Sequence, residues 1–234
     1  MTDCAEIPGA KLTVFDGQEH IVDTWTSGEK PHSIRGLEIG HTYTLREETA
    51  PFGYVVAEDV TFTVENTGEV QPVHMFDKHA MGQLRVEKRD KKTDQLLAGA
   101  HFELRDADGK VLEELVTDKN GEAVSSVLEI ATFANGRIDK EKTYTLVETK
   151  APVGYQKDEQ EYKVRFVYED DRTEIVKVLQ KVQNEKEPDR ETPPKTGDEI
   201  PLGGWMLVLL FSAGIFAAGV GLALRRRGWM QKRM

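Results

Sequence analysis

The chain has 234 residues, with 31 Lys and Arg against 41 Asp and Glu and a formal net charge of −10. So acidic a chain argues against nucleic acid and anionic lipid as partners. Its one cysteine, Cys4, excludes an intrachain disulfide, and its six histidines show no paired metal-ligand spacing. There is no glycine-rich phosphate loop and no Gly-x-Ser-x-Gly elbow, so no cofactor is expected.

In chain order, apolar residues at every second position predict half-buried strands at 11–15, 60–64, 83–87, 101–105, 143–147 and 162–166. Asp16-Gly17, Asp108-Gly109 and Asn120-Gly121 separate such runs and suit tight hairpin turns, because Gly and Asn tolerate a positive φ. Long helical periodicity is absent until the last forty or so residues, so the chain before them reads as all-β, folded into antiparallel sandwiches. Asp106-x-Asp108-Gly109 lacks the later ligands of a calcium loop and reads as a turn. Trp25 and Phe133 read as packing residues rather than exposed ligand contacts.

An internal repeat sets the domain count. Tyr43-Thr44-Leu45-Arg46-Glu47-Glu48-Thr49-Ala50-Pro51-Phe52-Gly53-Tyr54 and Tyr144-Thr145-Leu146-Val147-Glu148-Thr149-Lys150-Ala151-Pro152-Val153-Gly154-Tyr155 agree at eight of twelve positions. Upstream of each, Gly9-Ala10-Lys11-Leu12-Thr13-Val14-Phe15-Asp16 parallels Gly99-Ala100-His101-Phe102-Glu103-Leu104-Arg105-Asp106. Two copies of one domain are implied, at 1–78 and 82–185, joined by Ala80-Met81-Gly82. Residues 186–196 form a polar, extended stalk.

The chain ends on Thr192-Pro193-Pro194-Lys195-Thr196-Gly197-Asp198, an uncharged stretch at 200–224, and Arg225-Arg226-Arg227. Roughly 24 residues at about 1.5 Å each reach about 36 Å as a helix, enough for a hydrocarbon core of about 30 Å. The basic end stays cytoplasmic, so everything before residue 200 is outside. The segment after Thr196 holds five Lys and Arg and two Asp and Glu, so the outer part holds 26 and 39 and carries −13. Export requires a secretion signal, and none precedes residue 10; the sequence is therefore expected to be short at its N-terminus.

The Pro-x-Thr-Gly core, acidic residue, apolar span and arginine cluster resemble the sorting signal of Gram-positive cell-wall proteins, an LPXTG-like motif with Pro193 in place of the usual Leu. That resemblance implies a sortase as partner, cutting between Thr196 and Gly197 and passing the threonyl carbonyl to a peptidoglycan precursor or a pilin lysine. Pro193, Pro194, Lys195, Thr196 and Gly197 would be the sorting motif, and residues 197–234 a membrane helix and basic tail removed on sorting. Prolines hold the segment extended, and Gly197 admits close approach to the scissile bond.

Tyr-x-Leu-x-Glu-x-x-Ala-Pro-x-Gly-Tyr resembles the glutamate box of Cna B-type (SpaA-like, transthyretin-like) domains of pilins and adhesins. The resemblance implies an isopeptide bond between Lys88 of Leu84-x-Val86-x-Lys88-x-Asp90 and Asn184 of Val182-Gln183-Asn184, formed beside Glu148. Such chemistry needs a neutral amine, which desolvation favours, and a carboxyl that burial keeps protonated, hydrogen-bonded to the Asn184 carbonyl. Leu84, Val86 and Lys88 share one strand face, so the lysine points where the core residues point. In the first copy Glu47 fills the box and Asp77 of Met75-Phe76-Asp77 stands where Asn184 does, but Met1-Thr2-Asp3 occupies the place of Lys88-Arg89-Asp90. Lys11 alternates away from Leu12 and Val14, so either this domain lacks its bond or the chain begins upstream with the strand that carries the lysine, and the second is expected.

These resemblances imply a sortase-anchored surface protein of the cell wall, an adhesin stalk or minor pilus subunit. Self-crosslinking is a single turnover, so an enzyme is not expected. A host or extracellular ligand is compatible with the sequence but not named by it. The alternative is an uncleaved single-pass membrane protein whose ectodomain is a receptor or spacer.

Overall fold

The computed structural model describes residues 6–188, which contain sixteen strands and no helix. In the first repeat these are β1 (Lys11–Phe15), β2 (Ile21–Thr26), β3 (Thr42–Thr49), β4 (Tyr54–Val55), β5 (Val60–Thr63) and β6 (Lys78–His79). The second repeat opens with β7 (Met81–Asp90), β8 (His101–Arg105), β9 (Val111–Val116), β10 (Glu122–Val124) and β11 (Leu128–Glu129). It continues with β12 (Ala131–Ala134), β13 (Arg137–Glu141), β14 (Thr143–Lys150), β15 (Glu161–Arg165) and β16 (Ile175–Asn184).

One sheet is common to both repeats. Its order is β2-β1-β3-β5 in the first and β9-β8-β14-β15 in the second, the same strands in the same places. In the second repeat a further sheet has β7 at its centre, with β10 and β11 along one edge and β16 along the other. Leu84, Val86 and Val182 from this sheet and Phe102, Leu104, Leu146 and Val164 from its partner close a dry core. The sandwich departs from the antiparallel expectation at one pair. β7 and β16 run parallel over ten residues, from Met81 opposite Ile175 to Asp90 opposite Asn184. The whole sandwich serves as the crossover connection that a parallel pair demands.

Among its described residues the first repeat has no counterpart of the β7 sheet; its remaining strands, β4 and β6, pair only with each other. Segments 27–41 and 64–77, which flank the place of β7, carry no strand. Its buried hydrophobic cluster is accordingly small, Val14, Tyr43 and Leu45, against sixteen residues in the second repeat.

An aspartate holds each of the three turns, of which those at Asp16 and Asp106 close hairpins and that at Asp118 links two sheets. Asp16, Asp106 and Asp118 each accept, through Oδ1, the backbone N–H groups two and four residues on. The positive φ falls on the fourth residue of each loop, Gly109 (83°), Gly121 (71°) and Glu19 (63°), not on Gly17. Asp106 thus spends its carboxylate on the turn.

The junction is packed. Ala80, expected in a linker, is fully buried, and Phe166 ring atoms lie 2.4–2.6 Å from where a Cβ on Gly82 would stand. Tyr168 donates its hydroxyl to Tyr54 O (2.7 Å), Val56 N–H donates to Asp171 O (2.8 Å), and Phe133 stacks on His79 at 3.6 Å. Phe133 is therefore a packing residue at the joint, and Trp25 packs on the first repeat's core while stacking on His32. Lys186 and Glu187, expected in the stalk, are tied to the second repeat: Lys186 bridges Tyr155, and Glu187 N–H donates to Gly154 O (2.8 Å). Among the described residues no helix is long and apolar enough to cross a membrane. The apolar stretch at 200–224 and the motif Pro193, Pro194, Lys195, Thr196 and Gly197 lie outside the described residues.

Candidate functional site

Alternation along β7 turns Leu84, Val86 and Lys88 inward, and all three are fully buried. The parallel register sets Lys88 opposite Val182, so Asn184, two residues on, projects from the same face of β16. Glu148 comes from β14 in the facing sheet. Lys88 (0% exposed), Glu148 (1%) and Asn184 (2%) thus meet in the core.

Their contacts are mutual. Lys88 Nζ lies 3.0 Å from Glu148 Oε1 and donates to Asn184 Oδ1. Asn184 Nδ2 donates to the same Glu148 Oε1 at 3.0 Å. The second carboxylate oxygen, Oε2, accepts Asp158 N–H at 2.7 Å, and this fixes the carboxyl plane. Nζ also stands 5.6 Å from the centre of the Phe102 ring. Burial pushes the Lys88 pKa below its ordinary value, opposed by the hydrogen bond and charge of Glu148. Tyr155 closes the end of the site, donating to Asp90 Oδ2 at 2.9 Å.

This geometry corrects one expectation. Glu148 faces the amide nitrogen of Asn184, not its carbonyl, because the carbonyl is taken by the lysine and a carboxylate can accept only from N–H. The arrangement suits amide exchange. A neutral Nζ attacks Cγ, the C–Nδ2 bond breaks, and Glu148 carries a proton from Nζ to the departing nitrogen, which leaves as ammonia.

The first repeat keeps half of the site. Glu47 on β3 is 3% exposed, and its Oε2 accepts Ala57 N–H at 2.7 Å, the same ten-residue spacing as Glu148 and Asp158. Its Oε1 is buried with no hydrogen-bond partner. Burial, and Asp77 nearby, push the Glu47 pKa up to about 7, and burial raises that of Asp77 too. Lys11 is exposed, as its alternation requires.

Two contributors went unread as site residues in the sequence. Phe102 lay inside a recognised strand, and only its place beside Leu104 hinted that it faced the core. Asp158 acts through its backbone N–H, which leaves no residue-type signal; the equal spacing from each glutamate was the one trace.

Against known proteins, a model of the family described as SpaA, prealbumin-like fold domain, matches residues 2–79 and again 82–181. No curated protein sequence matches. Among solved structures, the Bacillus anthracis TIE protein is 26% identical with a TM-score of 0.55, over 79% of this chain and 32% of that one. The chain therefore spans about a third of that protein's length. A group B streptococcus pilus 2b backbone protein is 19% identical over 78% of this chain and 81% of that one, with a TM-score of 0.35. The shaft pilin SpaA from Lactobacillus rhamnosus GG is 18% identical over 78% and 89%, with a TM-score of 0.30. With the family model covering both repeats and the duplicated glutamate site within them, the chain belongs to the SpaA family of prealbumin-like fold domains.

Proposed function

We propose that this is a structural protein of the Gram-positive cell surface, an adhesin stalk or minor pilus subunit, whose second domain seals itself with an amide between Lys88 and Asn184. The observation that carries the reading is the meeting of Lys88, Glu148 and Asn184 in a dry core, each bonded to the other two. Glu148 would relay the proton, Lys88 would be the nucleophile, and Asn184 would lose ammonia. In this reading the domains are 1–78 and 82–185, followed by the stalk, and sortase cuts between Thr196 and Gly197 to leave the threonine on a wall precursor or a pilin lysine. The membrane holds the chain only before that transfer.

One mass measurement tests both halves of the proposal. Protein released from the wall should end at Thr196, and its mass should fall short of the calculated value by one ammonia. Glu148→Ala should restore the missing mass. The full calculated mass in the unmutated protein rules out the bond, and recovery only from membranes with Gly197 onward retained rules out sorting.

A further inference from the structure

The two buried glutamates are anchored alike through one oxygen, and in the second repeat the anchor is itself tied down. Glu148 Oε2 accepts Asp158 N–H and Glu47 Oε2 accepts Ala57 N–H, each at 2.7 Å. Asp158 sits in the loop at 151–160, between β14 and β15, and its carboxylate fastens that loop to a strand. Oδ2 accepts the Tyr162 hydroxyl at 2.6 Å, and Oδ1 accepts Gln160 N–H at 3.0 Å. Tyr162 lies on β15 opposite Leu146 of β14, two residues before Glu148, with its ring against the main core. Burial, and then the bond to Asp158, raises the Tyr162 pKa, so its hydroxyl stays a donor.

Neither part of this clasp recurs at the matching positions of the first repeat. Ala57 has no acceptor on its side chain, and Val60 pairs with Leu45 where Tyr162 pairs with Leu146. A bare backbone N–H is thus enough to satisfy a buried glutamate oxygen, and the Asp158–Tyr162 pair is more than that bond requires. Its place beside Glu148 gives it another use. Glu148 Oε1 stands 3.0 Å from both Lys88 Nζ and Asn184 Nδ2, so a proton taken from one and given to the other crosses a single oxygen. Such a transfer tolerates little rotation of the carboxyl group, and the bond at Oε2 is what sets that rotation.

We propose that Asp158 and Tyr162 are positioning residues for the amide between Lys88 and Asn184: their clasp holds Asp158 N–H on Glu148 Oε2 and so keeps Oε1 between the amine and the amide. The proposal rests on reading the Lys88, Glu148 and Asn184 cluster as bond-forming. The step is unchanged: Nζ bonds to Asn184 Cγ, the bond from Cγ to Nδ2 breaks, and the proton relayed by Glu148 leaves with the nitrogen as ammonia. The clasp reaches the reacting groups only through Glu148. Its charge works the other way. Glu148 from β14 and Asp158 from the loop both raise the Lys88 pKa against the burial that lowers it, while β8 and β16 meet the amine with the neutral Phe102 and Asn184. What the aspartate supplies is therefore position and not charge.

The test follows the full chain as it is made in a cell-free reaction containing detergent. A short pulse of isotope-labelled amino acid is stopped in acid at intervals, and intact mass reads the loss of one ammonia. Tyr162→Phe and Asp158→Ala should each slow that loss by about tenfold or more, and the double variant should be no slower than Asp158→Ala alone. Asp158→Asn keeps an oxygen for Gln160 N–H and an amide for the Tyr162 hydroxyl. It should react at close to the unmutated rate at neutral pH, with its rate profile moved to lower pH because Lys88 loses its proton more readily. Should Asp158→Ala fail to fold, Tyr162→Phe and Asp158→Asn still decide. An unmutated rate in Tyr162→Phe, or an Asp158→Asn chain as slow as Tyr162→Phe, overturns the proposal, as do losses that add in the double variant. Ammonia loss that the variants share with the unmutated chain sinks the clasp alone, whereas no loss in the unmutated chain sinks the reading beneath it.

Discussion

A charged lysine taken out of water costs several kcal/mol, and pairing it with a carboxylate recovers that cost only with excellent geometry. Lys88 is fully buried beside Glu148, so the same burial that strains the ion pair favours the neutral amine that amide chemistry requires. Glu47 shows what remains when the lysine is absent. Its pKa is about 7 in the fold against 4.5 for the free side chain. Below the lower value both states are protonated and the shift has no effect. Above the upper value the folded protein holds an ionised carboxylate in a dry site, so the first repeat loses stability as pH rises through this window. A shift of this size is worth roughly 3 kcal/mol, and Asp77, also raised, adds in the same direction. Urea midpoints of the first repeat should therefore fall between pH 5 and pH 8. Glu47→Gln, which keeps an acceptor for Ala57 N–H, should remove most of that slope; an unchanged slope would place its origin elsewhere.

At the scale of the element, three aspartate-held loops share one geometry and differ in one residue. Gly109 and Gly121 take the positive φ freely, and Glu19 takes it against the clash between its Cβ and backbone. Glu19→Gly should raise the unfolding free energy by up to about 1 kcal/mol, while Gly109→Ala should lower it by a similar amount. A melting comparison in which Glu19→Gly destabilises would show that its side chain does more than endure the strain. Of the strands flanking these loops, β1 and β8 were legible in the sequence because each has one face in the core, and alternation records that directly; β2 buries no residue and β9 and β10 one each, so they left no such pattern. The glutamate site was legible too, because duplication set Glu47 beside Glu148 and made the motif visible. The parallel pairing of β7 and β16 was not, since alternation says which face is buried and nothing about the direction of the neighbour. Nor was the buried junction at Ala80: three small or apolar residues read equally as a linker and as a close approach, and only the Phe166 ring against Gly82 decides.

Across the whole molecule, force or heat applied to the second repeat must separate β7 from β16, the first strand from the last. An amide from Lys88 to Asn184, 96 residues apart, would close a loop worth about 4–5 kcal/mol by the chain-entropy argument used for disulfides, and would shield everything inside it from extension. Among its described residues the first repeat has no such closure and a small core, so the joint contributes much of what holds them. Gly53 is central there. It holds φ at +91°, and a Cβ would stand 2.7 Å from Ile138 Cδ1, 2.9 Å from Cγ1 and 3.1 Å from Phe133. Gly53→Ala therefore meets backbone strain and a packed neighbour together, a cost of about 1–3 kcal/mol. Hydrogen exchange should localise it. The N–H of Ala80, bonded to Gly53 O at 2.9 Å, and that of Val56, bonded to Asp171 O at 2.8 Å, should exchange roughly ten- to a hundredfold faster. The N–H of Lys88, bonded to Gly121 O within the second repeat, should keep its protection. Equal acceleration at Lys88 would mean that the joint and the second sandwich open as one unit.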